Sequence, residues 1–187
     1  HITSNLNTKL IEPYQSDGVR WMLRRETESL SLFEENMPFG GIVADEVGLG
    51  KTILSIATML GNYKKKTLII LPKSLICQWA SQIELFTSKL KVHVIRRSSD
   101  TLFEPDADDE TSHVYIVSQS LLNLRNAVVG SSLVHHVHWD RVFIDEAHML
   151  RNSKSKLYEA CCMLKTDIRW ALTATPVMNR MSDFINI

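Results

Sequence analysis

Gly48 and Gly50, followed at once by Lys51 and Thr52, make the most chemically pointed run in the chain. Glycines here let backbone N–H groups turn inward and close on an anion, and a helix opening at Lys51 would aim its positive end at the same spot. Lys51 then reaches the β- and γ-phosphates of a nucleotide, and the Thr52 hydroxyl ligates Mg²⁺. The strict phosphate-loop spacing asks for glycine at position 45, where Asp45 stands instead. Further along, Arg141-Val-Phe-Ile-Asp-Glu-Ala-His148 is an apolar strand ending in two carboxylates. Asp145 would hold Mg²⁺ through water, and Glu146 beside it would orient and deprotonate an attacking water. The two motifs together describe a nucleoside-triphosphatase site at the carboxyl ends of adjacent strands.

Such a site needs strands and helices to carry it. Short β-rich runs at Gly41–Ala44, Thr67–Leu71, Lys91–Ile95, Val114–Ser118, Arg141–Asp145 and Arg169–Thr173 alternate with helical patterns. That alternation predicts an α/β fold with a mostly parallel central sheet and helices on both faces. Apolar stripes at helical spacing join Ile53, Ile56, Ala57 and Leu60, and again Leu157, Ala160, Cys161 and Leu164. A third joins Leu75, Trp79, Ile83 and Phe86 after Pro72-Lys73-Ser74, with Ser74 as the expected N-cap. Gln15 to Glu28 reads as a helix with Val19, Met22 and Leu23 turned inward.

The chain has 187 residues, 44% apolar and 22% charged, which is the balance of one folded domain rather than of a disordered segment. Lys plus Arg equal Asp plus Glu at 21 each, so no global basic field points to a polyanion and any nucleic-acid contact must be local. The longest apolar run, Ala160 to Leu164, is five residues against the ~20 needed to span a bilayer, which sets membrane and secretory readings aside. Three cysteines without paired C-x-x-C spacing give neither a disulfide framework nor a zinc site and suit a reducing, intracellular compartment. An opening His1 and a close at Ile187, within what reads as a helix start, lead to the expectation of a piece of a longer chain.

Several segments stand in a telling order: Pro13-Tyr-Gln15-x-x-Gly18-Val-x-Trp-Met, Ala44-Asp-Glu-Val-Gly-Leu-Gly-Lys-Thr52, and Leu68-Ile-Ile-Leu-Pro-Lys-Ser74 with Gln78-Trp79. Trp139-Asp-Arg-Val-Phe-Ile-Asp-Glu-Ala-His148 with Arg151-Asn152, and Leu172-Thr-Ala-Thr-Pro-x-x-Asn179, follow. The series resembles the SWI/SNF-type ATPases of helicase superfamily two, from Pro13 to about Asp183. In that family aspartate is usual at position 45, while Val47 replaces a common methionine and Ala174 a common glycine. The resemblance implies that residues 1–187 are the first RecA-like, phosphate-loop lobe, that 1–12 are an N-terminal extension, and that a second lobe lies beyond 187.

By the same resemblance, ATP is held by Gln15, which reads adenine, and by the loop of Asp45, Glu46, Gly48, Leu49, Gly50, Lys51 and Thr52. Asp145 and Glu146 hydrolyse it with Mg²⁺. Thr173 and Thr175 link nucleotide state to the DNA-binding face with His148 as intermediary, while Lys73, Ser118 and Gln119 match segments that touch the backbone of one DNA strand. The implied activity is an ATP-dependent double-stranded-DNA translocase of the chromatin-remodelling type, nuclear, and inactive as an isolated lobe because the second lobe supplies the arginines that complete the site. Two other readings remain open. Asp-Glu-Ala-His also labels a group of RNA helicases, and the acidic run Glu104–Glu110 could recruit a partner to a nucleotide-sensing module.

Other residues favour plain packing. His135-His136-Val-His138 invites a metal, but adjacent histidines in a strand point to opposite faces. Trp79 could stack on a base, yet it sits on an apolar stripe. Cys161 belongs to a buried helix face, and the Lys64–Lys66 and Glu104–Glu110 runs read as solvated loops.

Overall fold

A strand buried on both faces is apolar at every position, and Leu68-Ile-Ile-Leu71 has that character. The computed structural model describes residues 5–28, 39–122 and 128–176. In chain order these form α1 (Tyr14–Thr27), β1 (Phe39–Val43), α2 (Lys51–Gly61), β2 (Lys66–Leu71), α3 (Ile76–Phe86), β3 (Leu90–Ile95) and β4 (Ser112–Ser118). There follow α4 (Gln119–Leu122), β5 (His138–Asp145), α5 (Lys156–Cys162) and β6 (Lys165–Leu172). Asn179 and the helix start expected near Ile187 lie outside the described residues.

The six strands form one sheet in the order β1-β6-β5-β2-β4-β3, and every pairing is parallel. Side chains alternate between its faces. Ile69, Leu71, Val114, Ile116, Phe143, Ile168 and Trp170 pack under α1, α2 and α3. Leu68, Ile70, Tyr115, Val117, Val142 and Ile144 pack under α4, α5 and the turns around them. The expected fold class is thus the observed one, with a sheet that is wholly parallel.

The differences have local causes. Helix α2 buries all of residues 53–59 rather than one stripe, because α1 and α3 flank it while the sheet lies beneath. Ser74 does not cap α3: a 3₁₀ turn, Lys73–Leu75, intervenes, and the residue before Ile76 is Leu75. The helix that does carry a side-chain cap is α5, where Ser155 Oγ accepts from the Tyr158 N–H at 3.1 Å. Leu164 falls past the end of α5 yet remains buried.

Two features had no clear sequence signal. Glu26 and Arg141 are both fully buried and paired, with Arg141 Nε donating to Glu26 Oε1 at 2.7 Å. The same carboxylate accepts from Trp170 Nε1 and from Asn62 Nδ2, each at 2.8 Å. The two charged runs, expected as separate solvated loops, meet each other: Lys66 pairs with Glu104, and Lys65 Nζ donates to the carbonyls of Asp106 and Ala107.

Candidate active site

Parallel strands bring their carboxyl ends to one edge, and register sets which ends are neighbours. Val43 of β1 and Asp145 of β5 both align with Leu172 of β6. The phosphate loop after β1 and the carboxylates after β5 therefore do not follow adjacent strands, as the sequence had suggested; β6 lies between them. Thr173, the next residue after β6, fills that interval and donates its N–H to the Val43 carbonyl at 3.0 Å.

The loop is shaped by its glycines. Gly50 has φ 92° and a Cβ there would stand 2.6 Å from Gln15 Nε2, so both the left-handed backbone and the close approach call for glycine. Lys51 opens α2 and turns its ammonium back over the loop, donating to the carbonyls of Asp45 at 2.8 Å and Glu46 at 3.2 Å. Gln15 is buried and joins α1 to this loop: its Oε1 accepts from the Ile11 N–H at 2.9 Å and its Nε2 donates to the Leu49 carbonyl at 3.3 Å. Tyr14 lies near the loop carboxylates; desolvation chiefly, with the influence of Asp45 and the charge of Glu46, pushes its phenol up to about 12.

The carboxylate pair is held with more detail than its sequence disclosed. Asp145 is 8% exposed. Its Oδ2 accepts from Trp79 Nε1 at 2.8 Å, its Oδ1 accepts from the Glu146 N–H at 2.9 Å, and its carbonyl accepts from Gln119 Nε2 at 3.2 Å. Burial pushes the Asp145 carboxyl above its usual range, opposed by the Trp79 and Glu146 hydrogen bonds and by the Lys51 charge, while the Glu146 charge adds to the rise. Glu146 has φ 53° and ψ 44°, a left-handed conformation that a glutamate adopts only against a steric cost. It is the one non-glycine residue with positive φ among the described residues. The backbone turns so sharply there that the side chain of Glu146 stays partly exposed beside a buried Asp145. His148 Nδ1 lies 3.0 Å from Glu146 Oε2 but lacks hydrogen-bond alignment.

Residues singled out for nucleic acid gather on the same edge but differ in access. Lys73 is exposed in the turn after β2, and Thr175 is exposed with its N–H on Thr173 Oγ1 at 3.1 Å. Ser118, Gln119 and Thr173 are buried. Ser118 Oγ pairs with the exposed Ser120 hydroxyl at 2.8 Å, and Gln119 is directed at the carbonyl of Asp145.

The alternatives to packing lose their footing. Trp79 is 2% exposed, which leaves no face for a base. His135 and His136 sit in a 3₁₀ turn rather than in the strand; His135 Nε2 bonds the Ala160 carbonyl at 2.8 Å, and the exposed His138 pairs with Asp167. Among the described residues no three His, Cys, Asp or Glu side chains gather to hold a metal. Burial pushes the Cys161 thiol up to about 12, as befits a packed cysteine.

Chemically, the edge offers an ammonium, a loop turned by two glycines of positive φ, a hydroxyl at Thr52 and two carboxylates. Thr52 and Asp145 are hard oxygen donors, and one or two carboxylates beside substrate phosphates is how Mg²⁺ is ordinarily held, so a magnesium nucleotide fits the donor set.

A family profile described as the SNF2-related domain matches residues 14–187. The chain is 32% identical to Switch 2 of Arabidopsis thaliana over 202 residues, which take in 100% of this chain and 22% of that protein. It is 34% identical to the probable global transactivator of Orgyia pseudotsugata multicapsid polyhedrosis virus, over 93% of this chain and 34% of the relative. Among solved structures, the Sulfolobus solfataricus SWI2/SNF2 ATPase core in complex with dsDNA superposes with a TM-score of 0.72 at 27% identity, covering 96% of this chain and 35% of that one. The chain thus spans about a fifth to a third of the length of these curated relatives.

Proposed function

Since the chain belongs to the SNF2-related domain family, we propose that it is the first RecA-like lobe of a motor that hydrolyses ATP to move along double-stranded DNA. The observation that carries this reading is the pairing of a left-handed Glu146 with a buried, hydrogen-bonded Asp145, on the same sheet edge as the Lys51 loop. A loop and a carboxylate pair on one edge suit phosphoryl transfer, where positioning and charge stabilisation do most of the catalysis.

In this reading the loop amides and Lys51 bind the β- and γ-phosphates, and Gln15 selects adenine from beside Gly50. Mg²⁺, held by Thr52 and Asp145, supplies positive charge against the phosphate oxygens. Glu146 orients a water in line with the γ-phosphorus and takes its proton as the new P–O bond forms and the bridging bond to ADP breaks. Thr173, bonded to the Val43 carbonyl between the two halves of the site, relays the change toward Thr175, with His148 beside Glu146 as intermediary. Lys73, and Ser118 through Ser120, contribute local contacts to one DNA strand. A second lobe completes both the nucleotide site and the DNA track, and chromatin remodelling is the proposed use of the movement. Placement follows the substrate, in a nucleus where the cell has one.

The support for duplex DNA is that the structurally similar Sulfolobus core is a complex with dsDNA. The test is ATP turnover by the full-length parent with no polymer, with duplex DNA and with duplex RNA. Strong stimulation by DNA is expected. Stronger stimulation by RNA would replace this reading with the RNA-helicase one, and nucleotide binding without turnover under any condition would leave a sensing module.

A further inference from the structure

A fully buried tryptophan that reaches across 66 residues to a carboxylate is more than a core side chain. Trp79 lies near the start of α3, 2% exposed, and belongs to the same buried apolar cluster as Ile69, Leu71, Ile76 and Ile83. An indole N–H can only donate, so when buried it must find an acceptor, and here that acceptor is Asp145 Oδ2 at 2.8 Å. The other oxygen, Oδ1, takes the N–H of Glu146 at 2.9 Å. The carboxylate is therefore held at both oxygens and cannot rotate about its terminal bond without breaking one contact. Each oxygen keeps a second lone pair for a cation or its water.

We infer that Trp79 is a positioning residue for the metal site, its indole N–H fixing the Asp145 carboxylate in the orientation that receives Mg²⁺. The inference rests on the assignment of Asp145 to Mg²⁺ proposed above. Backbone and packing alone do not require this contact, since a phenylalanine fills most of the same space. What phenylalanine lacks is the donor. Its loss leaves Oδ2 buried without its partner and the carboxylate free to turn toward Lys51, so the cation meets a disordered ligand. Outer-shell donors of this kind ordinarily change metal affinity by about 10- to 100-fold.

The experiment is Trp79→Phe in the 187-residue chain, with Asp145→Asn alongside. A fluorescent ATP analogue is titrated first without metal and then with rising Mg²⁺. Metal-free binding should match wild type, while the Mg²⁺ concentration giving half of the metal-dependent gain should rise about tenfold. Asp145→Asn should weaken that gain further than Trp79→Phe does. A folded Trp79→Phe protein with the wild-type Mg²⁺ midpoint, or with equal losses in metal-free and metal-dependent binding, overturns the inference alone. A wild-type chain whose nucleotide binding ignores Mg²⁺, or an Asp145→Asn variant indistinguishable from wild type, overturns the assignment of Asp145 and the inference with it. A second readout needs no variant at Trp79: in ¹⁵N-tryptophan-labelled wild type, Mg²⁺ with nucleotide should shift the Trp79 indole resonance and leave that of Trp139, which bonds the Val134 carbonyl, in place. An unmoved Trp79 signal under saturating Mg²⁺ and nucleotide also overturns it.

Discussion

Gln15 Nε2 donates to the Leu49 carbonyl at 3.3 Å, which ties the first turn of α1 to the phosphate loop 34 residues away. The amide is only half engaged by its two protein contacts. One N–H and one oxygen lone pair remain, a donor beside an acceptor. Adenine presents the complement, an acceptor at N7 and a donor at N6, whereas guanine presents two acceptors.

Gln15→Ala should therefore weaken ATP binding by about tenfold while changing GTP binding much less. Competition titrations with the two nucleotides on the purified chain measure the difference. Equal losses for both would mean that Gln15 only braces the loop and does not read the base.

The two neighbouring carboxylates should separate by function. In the full-length parent, Glu146→Gln keeps the shape of the side chain and removes the base, so ATP binding persists and turnover falls by about 10²-fold or more. Asp145→Asn should instead weaken binding that depends on Mg²⁺, and Lys51→Ala should remove binding of either form, because amides alone do not offset the phosphate charge. Wild-type turnover by Glu146→Gln under DNA stimulation would take the water-activating role away from Glu146.

Far from this edge, the buried Glu26–Arg141 pair should be costly to break and cheap to replace. Glu26→Ala leaves the buried Arg141 guanidinium with the Asn62 carbonyl but without its carboxylate, and takes the acceptor from the Trp170 indole N–H, so a loss of about 3–5 kcal/mol is expected. Glu26→Leu combined with Arg141→Met should recover much of that loss, since apolar groups of similar volume need no solvation. Urea unfolding followed by circular dichroism decides it. A loss under about 1 kcal/mol for Glu26→Ala would show that water enters the pair.

What could be read in the sequence and what could not divide along a physical line. Strands buried on both faces are continuous apolar runs, so Thr67–Leu71 and Arg141–Asp145 were visible from composition alone. Glycine beside lysine at a strand–helix junction is equally local, and the loop at Gly48–Thr52 is where it was expected. Pairings between distant residues leave no such trace. Nothing in Glu26 or Arg141 distinguishes a buried pair from two surface charges, and 115 residues separate them. Trp79 announced its burial through its apolar stripe but not its acceptor, and the order β1-β6-β5, which inserts Thr173 between loop and carboxylates, is a property of the whole sheet. Ser74 and Ser155 show the same limit at short range: both precede apolar stripes, and the 3₁₀ turn at Lys73–Leu75 decides which one caps.

The 187-residue chain by itself should bind ATP with Mg²⁺ yet show little or no stimulation of hydrolysis by duplex DNA. It spans 35% of the Sulfolobus core that was solved with dsDNA, so whatever the rest of such a core contributes to nucleotide and duplex is not matched by these 187 residues. Arginines delivered across a cleft contribute ~10³–10⁵ in rate in related phosphoryl-transfer sites, which would leave Lys51, Thr52, Asp145 and Glu146 near background without them. DNA affinity should be low for a separate reason. The net charge is zero, and of the residues proposed to meet DNA only Lys73 carries a positive charge, so few phosphates are neutralised and most binding is lost at physiological salt. Steady-state ATPase measurements with and without duplex, at low and at physiological salt, test both parts. Robust DNA-stimulated turnover by the monomeric chain would show that one lobe holds a complete site, and the requirement for a second would have to be abandoned.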